Sequence, residues 1–291
     1  MSRRSKMEVA ALNLRIPRRN KRNYARLLGA IWAKKKGYRV FGDTHVALFS
    51  FDEQTSTGSF AKYTQIELNG DWFDEKNFDV ADPKDLDKLV IPENLKPNLS
   101  FFYFILKEDI HTIAFETYSE SKSLSLDAVR KFFRLTLSEV DIVQEFGVVE
   151  ATIVSSAQAT RKLLQLPNIR EVRIAIRRPN PDDVGDDLAR VIEERLKKQK
   201  ADEYEEGLKA GPRGAIKPDQ RTKKLAAVAS ENGDVTVKSI VNGVMVVHHA
   251  TQTPLKEVET FPTSEAALPH FRALAERLFQ VIARTRRLFR G

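Results

Sequence analysis

The sequence predicts an α+β protein: a mainly antiparallel sheet packed by helices, with β-α-β elements wired in the ferredoxin-like manner. Three observations predict it. Apolar and aromatic runs face each other across turn signals, at 39–68 and again at 100–117. Other stretches carry apolar residues every three or four positions, the period of a helix face. Finally, Val148–Val154, Ala157–Leu166 and Ile169–Ile176 read as strand, helix and strand in direct succession.

Taken in order, Glu8–Ile16 is an apolar strand stopped by Pro17. Tyr24, Leu27, Leu28, Ile31 and Trp32 then keep helical spacing up to Gly37. The other face of that helix carries Lys21, Arg22 and Arg26, and Lys34, Lys35 and Lys36 fall in its last turn, where cations complement the helix dipole. Arg39–Phe51 and Ser59–Leu68 are strands about a turn at Thr57-Gly58. Asn69-Gly70-Asp71 turns the chain towards Trp72-Phe73, and the acidic, proline-spaced stretch 74–98 is a long connection. Ser100–Leu106 and His111–Thr117 make a second hairpin. Behind Ser123, Leu126, Val129, Phe132, Phe133 and Leu137 mark a helix.

Pro179–Asp187 opens a long charged helix over 183–208. Gly207, Gly211, Pro212, Gly214 and Pro218 make 199–224 a linker between a main domain, 1–198, and a C-terminal part, 225–291. In that part Leu225–Ser230 and Val235–His248 predict a hairpin around Asn232-Gly233-Asp234, followed by a helix with Leu268, Phe271, Leu274, Leu278, Phe279 and Ile282 on one face. So short a segment buries little on its own, so it is expected to pack on the main domain.

Composition narrows the function classes. The 291 residues include no Cys, which excludes a disulfide framework, a thiolate metal site and a thiol nucleophile. No apolar run approaches the roughly 20 residues that span a bilayer. Arg3, Arg4 and Lys6 are not followed by an apolar stretch, so no secretory leader and a cytoplasmic location are expected. The net charge of +8 is unevenly placed. Residues 1–39 hold 13 Lys/Arg and one acid, the last eight residues hold four Arg and no acid, and the body between them is net acidic. A clustered basic face raises local affinity for phosphate. Equally, a cationic segment can dock on the protein's own acidic body.

Several landmarks occur in order: Leu12-Asn13-Leu14, Tyr24 with Leu27-Leu28, Glu67 with Asp71-Trp72-Phe73, Pro92 with Asn94-Leu95 and Pro97-Asn98, His111 with Phe115-Glu116, Leu124-Ser125, and Arg178-Pro179-Asn180-Pro181-Asp182-Asp183. Together the set resembles an uncharacterised family of bacterial proteins known only as a domain of unknown function, over roughly residues 8–185. Asp74 stands where that pattern has Asn. The resemblance implies a bacterial cytoplasmic protein and supplies no activity and no catalytic residues. Families of this kind often sit among phage-defence genes, an association that favours work on nucleic acid.

Three readings follow. The first is a nucleic-acid-interacting protein, an accessory or sensor in defence against phage or foreign DNA. It grips phosphates of DNA or RNA through Arg18, Arg19, Lys21, Arg22, Arg26, Lys34, Lys35 and Lys36, joined by Arg284, Arg286 and Arg287. The second is a metal-dependent nuclease with Glu116, Glu120 and Lys122 as catalytic residues and Asp109 as a further carboxylate. Two carboxylates would hold Mg²⁺ while Lys orients the attacking water. Mg²⁺ belongs to that reading alone; otherwise no cofactor and no metal site are expected. The third is an assembly module for a protein partner or homo-oligomer, with no membrane involved. The five His (His45, His111, His248, His249 and His270) show no paired metal spacing, and His248 and His249 point to opposite sides of a strand. Trp72-Phe73 reads as a loop anchor, and the Asp run 182–187 as helix capping. No nucleophile elbow, phosphate-binding Gly loop or dinucleotide fingerprint is present.

Overall fold

In the computed structural model the described residues are 4–17, 23–66, 70–86, 91–92, 94–177 and 187–288. In chain order they form β1 (Arg4–Arg15), α1 (Tyr24–Ala33), β2 (Gly37–Phe41), β3 (Thr44–Asp52), β4 (Thr57–Thr64), β5 (Phe73–Asp74), β6 (Asp79–Val80), α2 (Pro83–Leu86), β7 (Ser100–Lys107), β8 (Thr112–Ser119) and β9 (Lys122–Ser123). There follow α3 (Leu126–Leu137), α4 (Val140–Phe146), β10 (Glu150–Ile153), α5 (Ala157–Leu163), β11 (Ile169–Arg177), α6 (Asp187–Gln199), β12 (Glu203–Lys209), α7 (Gln220–Asn232), β13 (Gly233–Val241), β14 (Val244–His249), β15 (Lys256–Pro262) and α8 (Ala267–Leu288).

The fold is α+β, as the sequence predicts. Nine strands make one curled sheet in the order β10-β1-β8-β7-β4-β3-β2, with β15 added to β1 and β9 to β8. Four more make a second sheet, β12-β11-β13-β14. Strand β1 organises the first. It pairs with β8 along one side, while β15 takes Arg4–Ala10 and β10 takes Leu12–Arg15 on the other. Its residues alternate between two cores, so both of its faces are apolar. Ala10, Leu12 and Leu14 join Leu27, Leu28 and Ile31 of α1 and Phe132 and Phe133 of α3. Met7, Val9 and Ala11 join Phe271, Leu274 and Leu278 of α8. A third core lies under the second sheet, where Leu225 and Ala229 of α7 and Ile192 of α6 pack on Val172, Ile174 and Val237.

The two sheets are joined at the C-terminus of α7, where helix carbonyls are left without intrahelical donors. Thr152 Oγ1 of β10 donates to the Glu231 carbonyl at 2.8 Å, and the Ser155 N–H donates to the Ser230 carbonyl at 2.8 Å. Asn13 Nδ2 of β1 donates to Asn232 Oδ1 at 3.1 Å.

Six expectations are corrected. The ferredoxin-like unit is not formed: every described strand pair is antiparallel, and β10 and β11, which flank α5, belong to different sheets. Residues 199–224, expected as a linker, contain β12, which pairs with β11, and the start of α7. The helix expected over 183–208 stops at Gln199, because Glu203–Lys209 finds a ladder partner. Leu225–Ser230 is helical; the run is too short for its period to distinguish strand from helix, and Asp219 caps the helix by accepting the Thr222 N–H at 2.7 Å. The C-terminal hairpin turns at Asn242-Gly243, and Arg39–Phe51 is likewise split by a turn at Gly42-Asp43. Asn242 (φ 50°) and Gly243 (φ 81°) are both left-handed, the conformation a two-residue hairpin turn requires.

Candidate nucleic-acid interface

The N-terminal cations come first. Arg18, Arg19, Lys21 and Arg22 lie outside the described residues. Helix α1 ends at Ala33, so Lys34, Lys35 and Lys36 follow the helix rather than forming its last turn. There they meet the acids at the start of α4. Lys34 Nζ lies 2.5 Å from Glu139 and 2.6 Å from Asp141, and Lys36 Nζ lies 2.7 Å from Glu139. Arg26 pairs with Glu145 at 2.7 Å. Tyr38 adds its hydroxyl, donating to Glu139 at 2.5 Å. Hydrogen bonds from Lys34, Lys36 and Tyr38 hold the Glu139 carboxyl down to about 2. Lys35 turns aside with a left-handed backbone (φ 49°), its Nζ 3.3 Å from the centre of the Trp32 ring. Three cations of the expected phosphate surface are thus neutralised within the chain. Arg284 is exposed on α8, whose range also takes in Arg286 and Arg287.

The nuclease set is not assembled. Glu120 (φ 50°) and Ser121 (φ 64°) are the turn of the β8–β9 hairpin, which pairs Ser119 with Lys122. Glu120 and Lys122 are exposed at its tip. Asp109 lies in a 3₁₀ turn at the other end of β8, roughly 25 Å of strand away. Among the described residues no group of three metal-ligating side chains occurs.

Glu116 has a different role. It is buried, and its Oε2 accepts the Tyr103 N–H at 2.8 Å, just beyond the last paired rung of β7 and β8, Phe104 with Phe115. The carboxyl therefore substitutes for a strand hydrogen bond where the two strands part. Its Oε1 is buried without a hydrogen-bond partner. Burial pushes the group up to about 7, against the opposing pull of the Tyr103 N–H and with some help from the Glu120 charge. Since the folded state holds this proton up to about pH 7 and the unfolded chain loses it near 4.5, the favourable contribution is complete below pH 4.5 and is lost as pH rises through 7. Glu116→Gln is therefore expected to stabilise the fold by roughly 2–3 kcal/mol at pH 8.5 and to change little at pH 4. Thermal melts at the two pH values check this; an equal gain at both would contradict it.

A second group of cations lies on α3. Its apolar stripe (Leu126, Val129, Phe132, Phe133, Leu137) is buried, so Asp127, Arg130, Lys131 and Arg134 are left on the outer face. Ser125 caps the helix by accepting the Ala128 N–H at 3.1 Å. Arg130 is held by Asp127 at 2.7 Å, whereas Lys131 and Arg134 pair with no carboxylate among the described residues. The outer face borders a groove of about 980 Å³ that runs between β2, α3, the start of β10 and the end of β11, and Arg177 also lines it. Two apolar side chains stand in it uncovered, Phe41 at 81% exposure and Val148 at 67%. The signal for α3 was present in the sequence as three cations at i, i+1 and i+4 opposite the apolar stripe, but the denser N-terminal cluster outweighs it there.

The remaining landmarks are structural. Phe73 is exposed and packs on Phe78 in the small β5–β6 ribbon, so Phe73 does not anchor the loop on the core, while Trp72 is half-buried. Asp182 and Asp183 lie outside the described residues. His248 is within hydrogen-bond reach of Ser239 and His249 of Asp234, on opposite faces of β14 as expected. Among the described residues no helix is long and apolar enough to cross a membrane.

A family model described as "Domain of unknown function (DUF4747)" matches residues 5–276. The chain belongs to this family. The DUF4747 match takes in both sheets and the first part of α8, well beyond the landmarks at 8–185, so the second sheet is part of the family's common body. No curated protein matches the chain.

Proposed function

We propose that this DUF4747 protein binds nucleic acid by its phosphate backbone in the groove beside α3. The observation that carries the reading is a pair of cations, Lys131 and Arg134, that meet no carboxylate among the described residues, in a groove that also presents an exposed aromatic ring, Phe41. Cations along a groove track phosphates, and a free ring offers a stacking surface to a base; the combination favours single strands over duplex, whose bases are already stacked. With α1 occupied by the acids of α4, phosphate contact moves from the N-terminal helix to α3. A sequence-tolerant grip of this kind suits an accessory or sensor component of cytoplasmic defence against foreign nucleic acid.

Fluorescence anisotropy with labelled single-stranded DNA, single-stranded RNA and duplex DNA tests it. Neutralising three or four phosphates should weaken single-strand binding roughly 20- to 50-fold between about 50 and 200 mM salt. Phe41→Ala should remove about 1–3 kcal/mol of single-strand affinity and leave duplex binding unchanged. Binding that is absent at low salt, or indifferent to it, ends the proposal.

A further inference from the structure

We infer that β14 is a self-pairing edge through which two copies of the chain join their second sheets into one continuous eight-stranded sheet. An edge strand presents unused N–H and C=O groups, and proteins protect such edges with charges, prolines, bulges or covering segments. The two edges of this sheet are treated differently. Strand β12 carries Glu203, Glu205, Glu206 and Lys209, charged side chains of the kind that guard an edge against pairing. Strand β14 reads Val-Met-Val-Val-His-His, with no formal charge, proline or bulge against β13. Val244, Met245 and Val247 are 65%, 51% and 45% exposed.

The register shows which groups are free. The turn at Asn242-Gly243 makes Val241 and Val244 a hydrogen-bonded pair, so Val244, Val246 and His248 direct their backbone groups to β13. Met245, Val247 and His249 direct theirs outward. The His249 N–H is taken by Gln252 Oε1 at 3.3 Å, which closes that end of the edge. Met245 and Val247 remain, separated by one residue. Two such edges related by a two-fold axis through Val246 place Met245 of each copy opposite Val247 of the other, and the two pairs exchange four backbone hydrogen bonds. The same register brings Met245 and Val247 side chains together across the joint on the open face of the sheet. A neutral, apolar, closed edge of this kind is complementary to itself, which is why a second copy is the occupant. The strands alone make an interface below the roughly 800 Å² per partner of a standard complex, so association belongs in the micromolar range.

Sedimentation equilibrium of the full chain, free of nucleic acid, from low to high micromolar concentration tests this. The mass should rise from 33.1 kDa towards twice that value. Val247→Pro, which deletes one outward N–H, and Met245→Lys, which sets a charge at the joint, should each hold the chain at the monomer mass with an unchanged circular dichroism spectrum. Hydrogen exchange at the Met245 and Val247 amides of the unmodified protein should slow as concentration rises, a readout independent of how the variants fold. A chain monomeric throughout, or amides indifferent to concentration, overturns the inference. So does a dimer that persists in both variants.

Discussion

Lys131→Glu with Arg134→Glu should lower single-strand affinity on the order of 100-fold at about 100 mM salt. Each side chain is a charge-assisted donor worth about 1.5 kcal/mol to a phosphate, and together they account for about 3 kcal/mol. The slope of log affinity against log salt should flatten by about 1.4, since two phosphates are no longer neutralised. Both residues lie on the outer face of α3, away from its buried stripe, so the fold should be unaffected. The matching reversal of Lys34 and Lys36 should behave in the opposite way. It leaves Glu139 among like charges and costs stability, while affinity changes by less than about two-fold because those cations are already neutralised. Anisotropy titrations and thermal melts of both double variants separate the two surfaces. If the Lys34/Lys36 variant loses affinity and the Lys131/Arg134 variant keeps it, the α3 groove is not the interface.

Gly233→Ala should destabilise the protein by about 3 kcal/mol or more, lowering the melting temperature by roughly 6–12 °C. Gly233 is the point where α7 passes directly into β13, opposite Ile176 of β11. Its backbone is extended (φ 179°), so conformational freedom is not the reason for glycine here. The reason is space. A Cβ at this position would lie 1.9 Å from the Ala175 carbonyl oxygen and 2.9 Å from its carbon, both of them backbone atoms that cannot rotate away. The α7 terminus is also fixed by Thr152 and Asn13 of the first sheet, so drawing Gly233 away from β11 would disturb those hydrogen bonds as well. Gly207→Ala, where a Cβ meets nothing within 4 Å, is the control and should stay within about 0.5 kcal/mol of the unmodified protein. A melt of Gly233→Ala indistinguishable from that control would contradict the close approach of β11.

Much of the local structure is legible in the sequence wherever the apolar pattern is long and regular. Strand β1, helices α1, α3 and α8 and the β7–β8 hairpin follow from spacing alone, because each must bury a stripe of fixed period. Turns of two residues are less visible: Gly42-Asp43 and Asn242-Gly243 sit inside runs whose β-propensity continues on both sides. Strand β12 is less visible still, since its Glu-rich sequence becomes a strand only beside β11, where Arg173 and Arg177 meet Glu205 and Glu203.

The α+β class, the family and the positions of β1, α1, α3 and α8 were written in the amino-acid order alone, set by local periodicity or by ordered short motifs. Only folding decided which strands share a sheet, that Glu116 completes a backbone ladder, and which cations meet no carboxylate among the described residues. Lys34 and Lys36 are neutralised by acids more than 100 positions along the chain. Periodicity reports on neighbours within a few residues, whereas a charge is cancelled by whatever folding brings within a few ångströms, at any separation in sequence.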